Sequence, residues 1–359
     1  MRAAACHADA GDLARAASQL HDVVDELPPG DLRSRARALL GQIAYLTDSY
    51  PDASAHFQLA LEESPPGAAR ILLALQLAYV LTNTGRLGDA RDLARQAVRE
   101  AEDTGDASLI APALAVGVMM GFLLGDGLDR DRLDRALALE PGVGDRIPIV
   151  SRPTLIAGLI AYWTGDLEAA HADFVETRRH CLERGEESDL VVLTRHGAAL
   201  ECARGDVAEA RRIAEDGMER SWHQGAVARA VALANTAVVE GWTGDADAAR
   251  AAAGEALGIF QRCGWNAGAL LALEALGNLA LAQGDHAAAA AVLADVAAIM
   301  TVEIGDPAVA PWWPTPWRPL PGAAASTRRR PSSTGSPRAR TPWIARRSPR
   351  WPSAAGVSR

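Results

Sequence analysis

Two groups of side chains have residue types that could do chemistry. His171, His180, Cys181, His196 and Cys202 crowd into one short stretch. Zinc would need four such ligands in a tetrahedron, and no short pair among them has a usual zinc spacing. They are read as core and surface residues, with no metal site. Glu201 and Glu240 each stand four residues before a Gly-Asp step, so they can stack on adjacent helices. Paired carboxylates do acid–base work, but neither a substrate pocket nor a partner base is indicated. Ser, His and Asp all occur without a G-x-S-x-G elbow. All 36 basic residues are Arg and there is no Lys. That excludes a phosphate-loop lysine, a Schiff-base lysine and a Ser-x-x-Lys nucleophile within this chain. The chain is therefore expected to be no enzyme and to carry no cofactor of its own.

The elements that position these residues are marked by one recurring turn. It is fullest at Trp163-Thr164-Gly165-Asp166 and Trp242-Thr243-Gly244-Asp245. Gly-Asp recurs at Gly11, Gly125, Gly205 and Gly284; Gly85-Arg86 is a variant, and Tyr50-Pro51 stands where another glycine is due. The anchors are 35 to 40 residues apart, nearly always 39 or 40. A fixed period of this size marks a solenoid of stacked supersecondary units. Most anchors have a second glycine about half a period later, as in Gly165 and Gly185 or Gly205 and Gly225, which divides each unit into two helices. The Asp suits the N-cap of the helix that follows.

Packing positions agree with this reading. Ala16, Ala55, Ala90, Ala170, Ala210, Ala249 and Ala289 stand five residues after an anchor, and Ala78, Gly158, Ala198, Ala237 and Gly277 seven before one. Small residues at fixed offsets let two helices approach closely. The expected fold is all-α: a right-handed α-solenoid of antiparallel helix pairs, tetratricopeptide-like, with a period of about 40 residues. Residues 1–311 would hold seven to eight repeats, the first truncated because only ten residues precede Gly11. The unit at Gly125 has Arg130 at the alanine position and a Pro/Gly-rich connection after it, which predicts an irregular repeat. The uncharged run 107–125 is about as long as a membrane span. It ends at an anchor and contains Pro112 and internal glycines, so a buried solenoid helix is expected and no membrane association.

Charge is divided along the chain. Residues 312–359 contain ten Arg and no Asp or Glu, leaving 26 Arg against 45 acids over residues 1–311. So acidic a body is a poor nucleic-acid binder. Cys6, Cys181, Cys202 and Cys263 have no C-x-x-C spacing, which fits a reducing cytoplasm. The N-terminus lacks a signal-peptide pattern. The Pro/Arg/Ser-rich segment 312–359 is expected to be disordered and to arise from a frameshift. In the neighbouring frame, with synonymous codons free to choose, its text regains acids and helical spacing (GRRLDEAEALVDWL) and places an anchor glycine at the position of Gly322.

With that tail restored, the chain resembles the sensor superhelix of large ATP-dependent LuxR-type transcriptional regulators of the maltose-regulon-activator kind. The stretches that carry the resemblance are AGDLARAASQLHDVVDELPPGDLRSRARALL, LLGDGLDRDRLDRALALE, RPTLIAGLIAYWTGDLEAA and LERGEESDL. In that family a P-loop ATPase precedes the superhelix and a helix-turn-helix follows it. The resemblance implies a truncated fragment that senses a small-molecule inducer or a protein partner. ATP and DNA binding would belong to domains absent from this chain, and exposed ends would favour self-association. A stand-alone tetratricopeptide-like scaffold is the alternative. In either case the first helix of each pair lines the concave face. That register puts Tyr79, Asn83, Arg152, Tyr162, Trp163, Arg195, Glu274 and Asn278 on it, where aromatic and Arg side chains are favoured binding anchors. Trp163 and Trp242 have a rival role as staples over their own turns, which the sequence leaves open.

Overall fold

The computed structural model describes residues 2–299 apart from 10, 11, 48, 143–146 and 223. The anchor Gly11, the position of Gly322 and the segment 312–359 thus lie outside the described residues. The described chain consists of sixteen α-helices in eight antiparallel pairs. These are α1 (Arg2–Asp9) with α2 (Leu13–Val24), α3 (Asp31–Leu46) with α4 (Tyr50–Glu63), and α5 (Ala68–Asn83) with α6 (Leu87–Thr104). Next come α7 (Ala107–Leu123) with α8 (Arg130–Leu139), α9 (Pro153–Thr164) with α10 (Leu167–Arg184), and α11 (Glu187–Arg204) with α12 (Val207–Ser221). The last are α13 (Ala226–Thr243) with α14 (Ala246–Arg262) and α15 (Asn266–Ala282) with α16 (His286–Ile299). Each helix packs on the next, and several odd-numbered helices also touch one another, as α5 does α7 and α11 does α13. The odd helices form an inner layer and the even helices an outer one, the arrangement of a tetratricopeptide-like solenoid.

The Gly-Asp step ends one helix and starts the next. Gly165 closes α9 in the left-handed region at φ 86°, which a Cβ would disfavour. Asp166 then caps α10, its carboxylate accepting from the Ala169 N–H at 3.3 Å; Asp206 and Asp245 do the same for α12 and α14 at 3.0 Å. The small residues hold the paired helices close. A Cβ on Gly158 would stand 2.9 Å from Asp173 Cβ, and Ala78, Ala198 and Ala237 are fully buried.

The Gly125 unit is irregular, and its frame differs from the expected one. Asp126 does not cap α8; Asp129 does, accepting from the Arg132 N–H at 3.1 Å. The alanine slot, four residues past the cap in the other units, therefore falls to buried Leu133 rather than Arg130. Two short 3-10 turns, Glu140–Gly142 and Ile149–Ser151, lead from α8 to a shortened α9. The apolar run forms α7, buried between its neighbours with Pro112 inside it. Among the described residues no helix is long and apolar enough to cross a membrane.

The period gives no hint of one further contact: the solenoid closes on itself. The turn between α14 and α15 docks on the start of α4 and the end of α5. Trp265 is 3% exposed and stacks parallel on Tyr50 with centroids 5.3 Å apart, edge-on to Phe260. Its indole N–H donates to Asn83 Oδ1 at 2.5 Å. The Tyr50 N–H donates to the Cys263 carbonyl, and Asn266 Nδ2 to the Thr84 carbonyl. A Cβ on Gly264 would sit 2.8 Å from Pro51, so the glycine permits the approach. Tyr50-Pro51, the break in the anchor series, is the surface that receives this turn.

Candidate binding face

The inner layer brings several of the expected residues together. Trp163, at the end of α9, stacks on Phe122 of the preceding repeat at 6.2 Å and meets the edge of His196 from the following one at 6.0 Å. It therefore packs between repeats. Tyr162 lies 6.2 Å from the same His196 ring. Burial and the neighbouring Arg195 charge hold His196 well below the usual histidine range, so the ring is neutral. Arg195 lays its guanidinium 4.9 Å above the Trp265 ring and reaches Asn83 Oδ1 at 3.4 Å, while its buried Nε has no partner.

Three further expected residues stand on other odd-numbered helices, Glu274 and Asn278 on α15 and Tyr79 on α5. Glu274 on α15 forms no ion pair among the described residues, and burial pushes its carboxyl up to about 7. Its charge is felt by Tyr162, whose phenol burial raises far above its ordinary value, so Tyr162 keeps its proton as a donor. Asn278 sits one turn beyond Glu274 and is half-buried. Tyr79 packs against Tyr45 at 6.2 Å, and Tyr45 against Tyr50. Asn83 is 2% exposed and both ends of its amide are engaged: Nδ2 donates to the Tyr79 carbonyl, and Oδ1 accepts from Trp265 and Arg195. It holds the closing contact instead of presenting a free face.

Arg152 stands apart, at the start of α9. It is 7% exposed and its Nη2 has no partner. Beside it gather Cys181, Glu186 and Asp189, whose ligand-type atoms lie within 4.8 Å of one another. These three could offer a metal three donors. Two observations weigh against a cation there. The Arg152 charge already acts on Cys181 and Asp189. Glu186 is also paired with Arg184 at 2.6 Å.

The other chemistry-bearing residues do not converge with these. His171 Nδ1 is 2.7 Å from Glu201 Oε1, and Arg204 bridges Glu201 and Glu168. Glu240 pairs instead with Arg211 and Thr243, so Glu201 and Glu240 form no acid–base couple. Trp242 packs on the core of α11, α12 and α13, beside Val239 and Cys202. Sequence reasoning missed Trp265 and Tyr45, and it singled out His196 only as a metal candidate, not as a neighbour of Tyr162 and Trp163. Trp265 had a readable signal: it occupies the cap position before α15, where Asp106 and Glu186 stand before α7 and α11, although an indole cannot accept the helix N–H groups.

No family model and no curated protein sequence matches this chain. Solved structures do. The Rap protein complexed with Competence and Sporulation Factor superposes with a TM-score of 0.61 at 14% identity, over 79% of this chain and 78% of that one. A tetratricopeptide repeat protein from Parabacteroides merdae ATCC 43184 is similar over 76% of this chain and 96% of that one, at 14% identity and a TM-score of 0.44. Yeast Tom70 is similar over 83% of this chain and 57% of that one, at 16% identity and a TM-score of 0.38. At such identities the likeness is one of fold alone. With the Rap protein that likeness, and the helix pairs themselves, define the class: a tetratricopeptide-like helical-repeat fold.

Proposed function

We propose that residues 1–311 act as a sensing superhelix whose inner wall receives a small-molecule inducer or a protein partner. Its parentage is the helical-repeat region of a large LuxR-type ATP-dependent transcriptional regulator of the cytoplasm. The binding part of this reading rests on the unpaired Arg195 and Glu274, on α11 and α15, set among Tyr162, Trp163, His196 and Trp265. Aromatic and Arg side chains are efficient anchors because they present large, stiff contact areas. That the Rap protein was solved complexed with Competence and Sporulation Factor is consistent with a partner held by a solenoid of this class.

Of the eight inner-face residues, Arg152, Tyr162, Trp163, Arg195, Glu274 and Asn278 are assigned to ligand contact. Tyr79 and Asn83 support the wall by holding Tyr45 and Trp265. Signal relay in this reading is conformational: a ligand touching Arg195 or Trp265 alters the contact that closes the solenoid. The chain performs no catalysis and carries no cofactor. ATP and DNA binding belong to other domains of the regulator, and residues 312–359 form a separate basic segment read out of frame. The parentage is tested by sequencing the DNA on both sides of the gene. A P-loop ATPase frame upstream, or a helix-turn-helix in the shifted frame downstream, is expected. Clean intergenic DNA on both sides would overturn the parentage and favour a stand-alone scaffold.

A further inference from the structure

We infer that His21 and His56 together hold one divalent ion of the zinc, nickel or copper class, which ties the first repeat to the second. The inference is independent of the inner-wall reading above.

The two imidazoles come from successive outer helices, His21 from α2 and His56 from α4. Their ring centres are 5.8 Å apart, and the rings are tilted by 53°. With metal–nitrogen bonds of about 2.0–2.1 Å, two imidazoles on one tetrahedral ion have ring centres about 5 Å apart. Side-chain rotation covers the difference, which is less than about 1 Å. His21 is exposed and His56 half-buried, so an ion reaches the pair directly from solvent. Neither ring has a hydrogen-bond partner among the described residues. His171, by contrast, is already held by Glu201 at 2.7 Å.

The surroundings suit a cation. Asp25 stands four residues after His21 and Asp52 four before His56, so each carboxylate shares a helix face with its histidine. The Asp52 charge acts on His56, and so does that of Arg37. Arg37 is compensated, with Nη1 2.7 Å from Glu63 Oε1 and Nη2 3.9 Å from Asp25 Oδ1. That separates this site from Cys181, Glu186 and Asp189, where Arg152 keeps a bare buried nitrogen. Imidazole donors select zinc, nickel or copper over magnesium and calcium, which prefer oxygen. Water fills the remaining positions, with the two carboxylates as counter-charges.

The ion acts as a cross-link and takes no part in catalysis. Leu20 and Val24 of α2 pack with Leu40 and Ile43 of α3, in a cluster separate from the main core that Tyr50, Ala53 and Phe57 of α4 join. An ion on His21 and His56 joins α2 directly to α4 across that division.

The test is calorimetry and thermal unfolding of the untagged full chain with zinc, nickel and magnesium chlorides. Zinc and nickel should bind at one ion per chain and raise the unfolding temperature, because the paired site exists only in the folded chain. Magnesium should do neither. His21→Ala and His56→Ala should each weaken binding at least about tenfold, the least expected when even an outer partner of a metal site is lost. Because His21 is exposed, His21→Ala carries the test if His56→Ala is unfolded. Electron paramagnetic resonance with copper(II) should show two coordinated imidazole nitrogens in the natural chain and one in His21→Ala. Absence of zinc and nickel binding would overturn the inference, as would binding that survives His21→Ala. Binding lost in Glu186→Gln and kept in His21→Ala would place the ion at the Cys181 group and overturn it too.

Discussion

Two sets of charges in this solenoid are treated in opposite ways: those paired along the helix seams, and Arg195 and Glu274 on the inner layer. On the outer helices arginines meet carboxylates: Arg178 reaches Asp216 across successive repeats, Arg135 clasps both oxygens of Glu102, and Arg179 joins Glu176 and Glu183 within one helix. On the inner helices Arg195 and Glu274 lack such partners, and Arg152 keeps a bare buried nitrogen. Burying an uncompensated charge is expensive, whereas exposed pairs contribute little either way. The outer charges therefore tune the stacking of a scaffold that helix packing already holds. Arg195 and Glu274 cost stability that the fold tolerates, as the proposed binding role would require.

The largest expected effect comes from the contact that makes the inner wall an enclosure. Trp265→Ala should lose about 3–5 kcal/mol in denaturant unfolding. It should also enlarge the radius of gyration in small-angle scattering as the α14–α15 turn leaves Tyr50 and Asn83. An unchanged radius would mean the solenoid stays closed without it. Next comes Arg204→Gln. The Glu201 side chain is 4% exposed, and losing its cation should cost about 2 kcal/mol, read from the same unfolding curves.

A smaller effect, of opposite sign, is expected inside. Burial raises the folded-state pKa of Glu274 to about 7, so its ionisation opposes folding. That penalty is absent below the unfolded-state carboxylate range and complete above pH 7. Glu274→Gln should therefore stabilise the chain at pH 8 by about 1 kcal/mol, less than full burial would give because the side chain is only half-buried. The gain should vanish toward pH 4, and thermal unfolding across that range checks it. The smallest change belongs outside: Arg179→Gln should stay within about 0.5 kcal/mol of the natural chain.

Much of the scaffold was legible because each repeat reuses the same local physics. Gly165 and Asp166 do what the Gly-Asp step predicted, and Ala170 and Gly158 sit where close helix packing required small side chains. At Gly125 the motif misled, since any nearby Asp can cap a helix and Asp129 stands better placed than Asp126. Helix order puts Trp163, Arg195 and Glu274 on the odd-numbered helices α9, α11 and α15, and the period alone gives that much. What could not be read was closure. Periodicity reports contacts between neighbouring repeats, whereas Tyr50 and Trp265 meet across five of them. Asn83 consequently looked like a surface residue and is instead a buried acceptor.

The central claim is that binding belongs to the inner wall and that the outer wall is scaffold. It is tested most directly by one thermal-shift screen of a small-molecule library. The screen is run on the natural chain, on the inner variants Arg195→Gln and Trp163→Ala, and on the outer variants Arg179→Gln and Arg212→Gln. Stabilising compounds should lose their shift in both inner variants and keep it in both outer ones. Compounds whose shift survives the inner substitutions and disappears with the outer ones would contradict the assignment of the binding face.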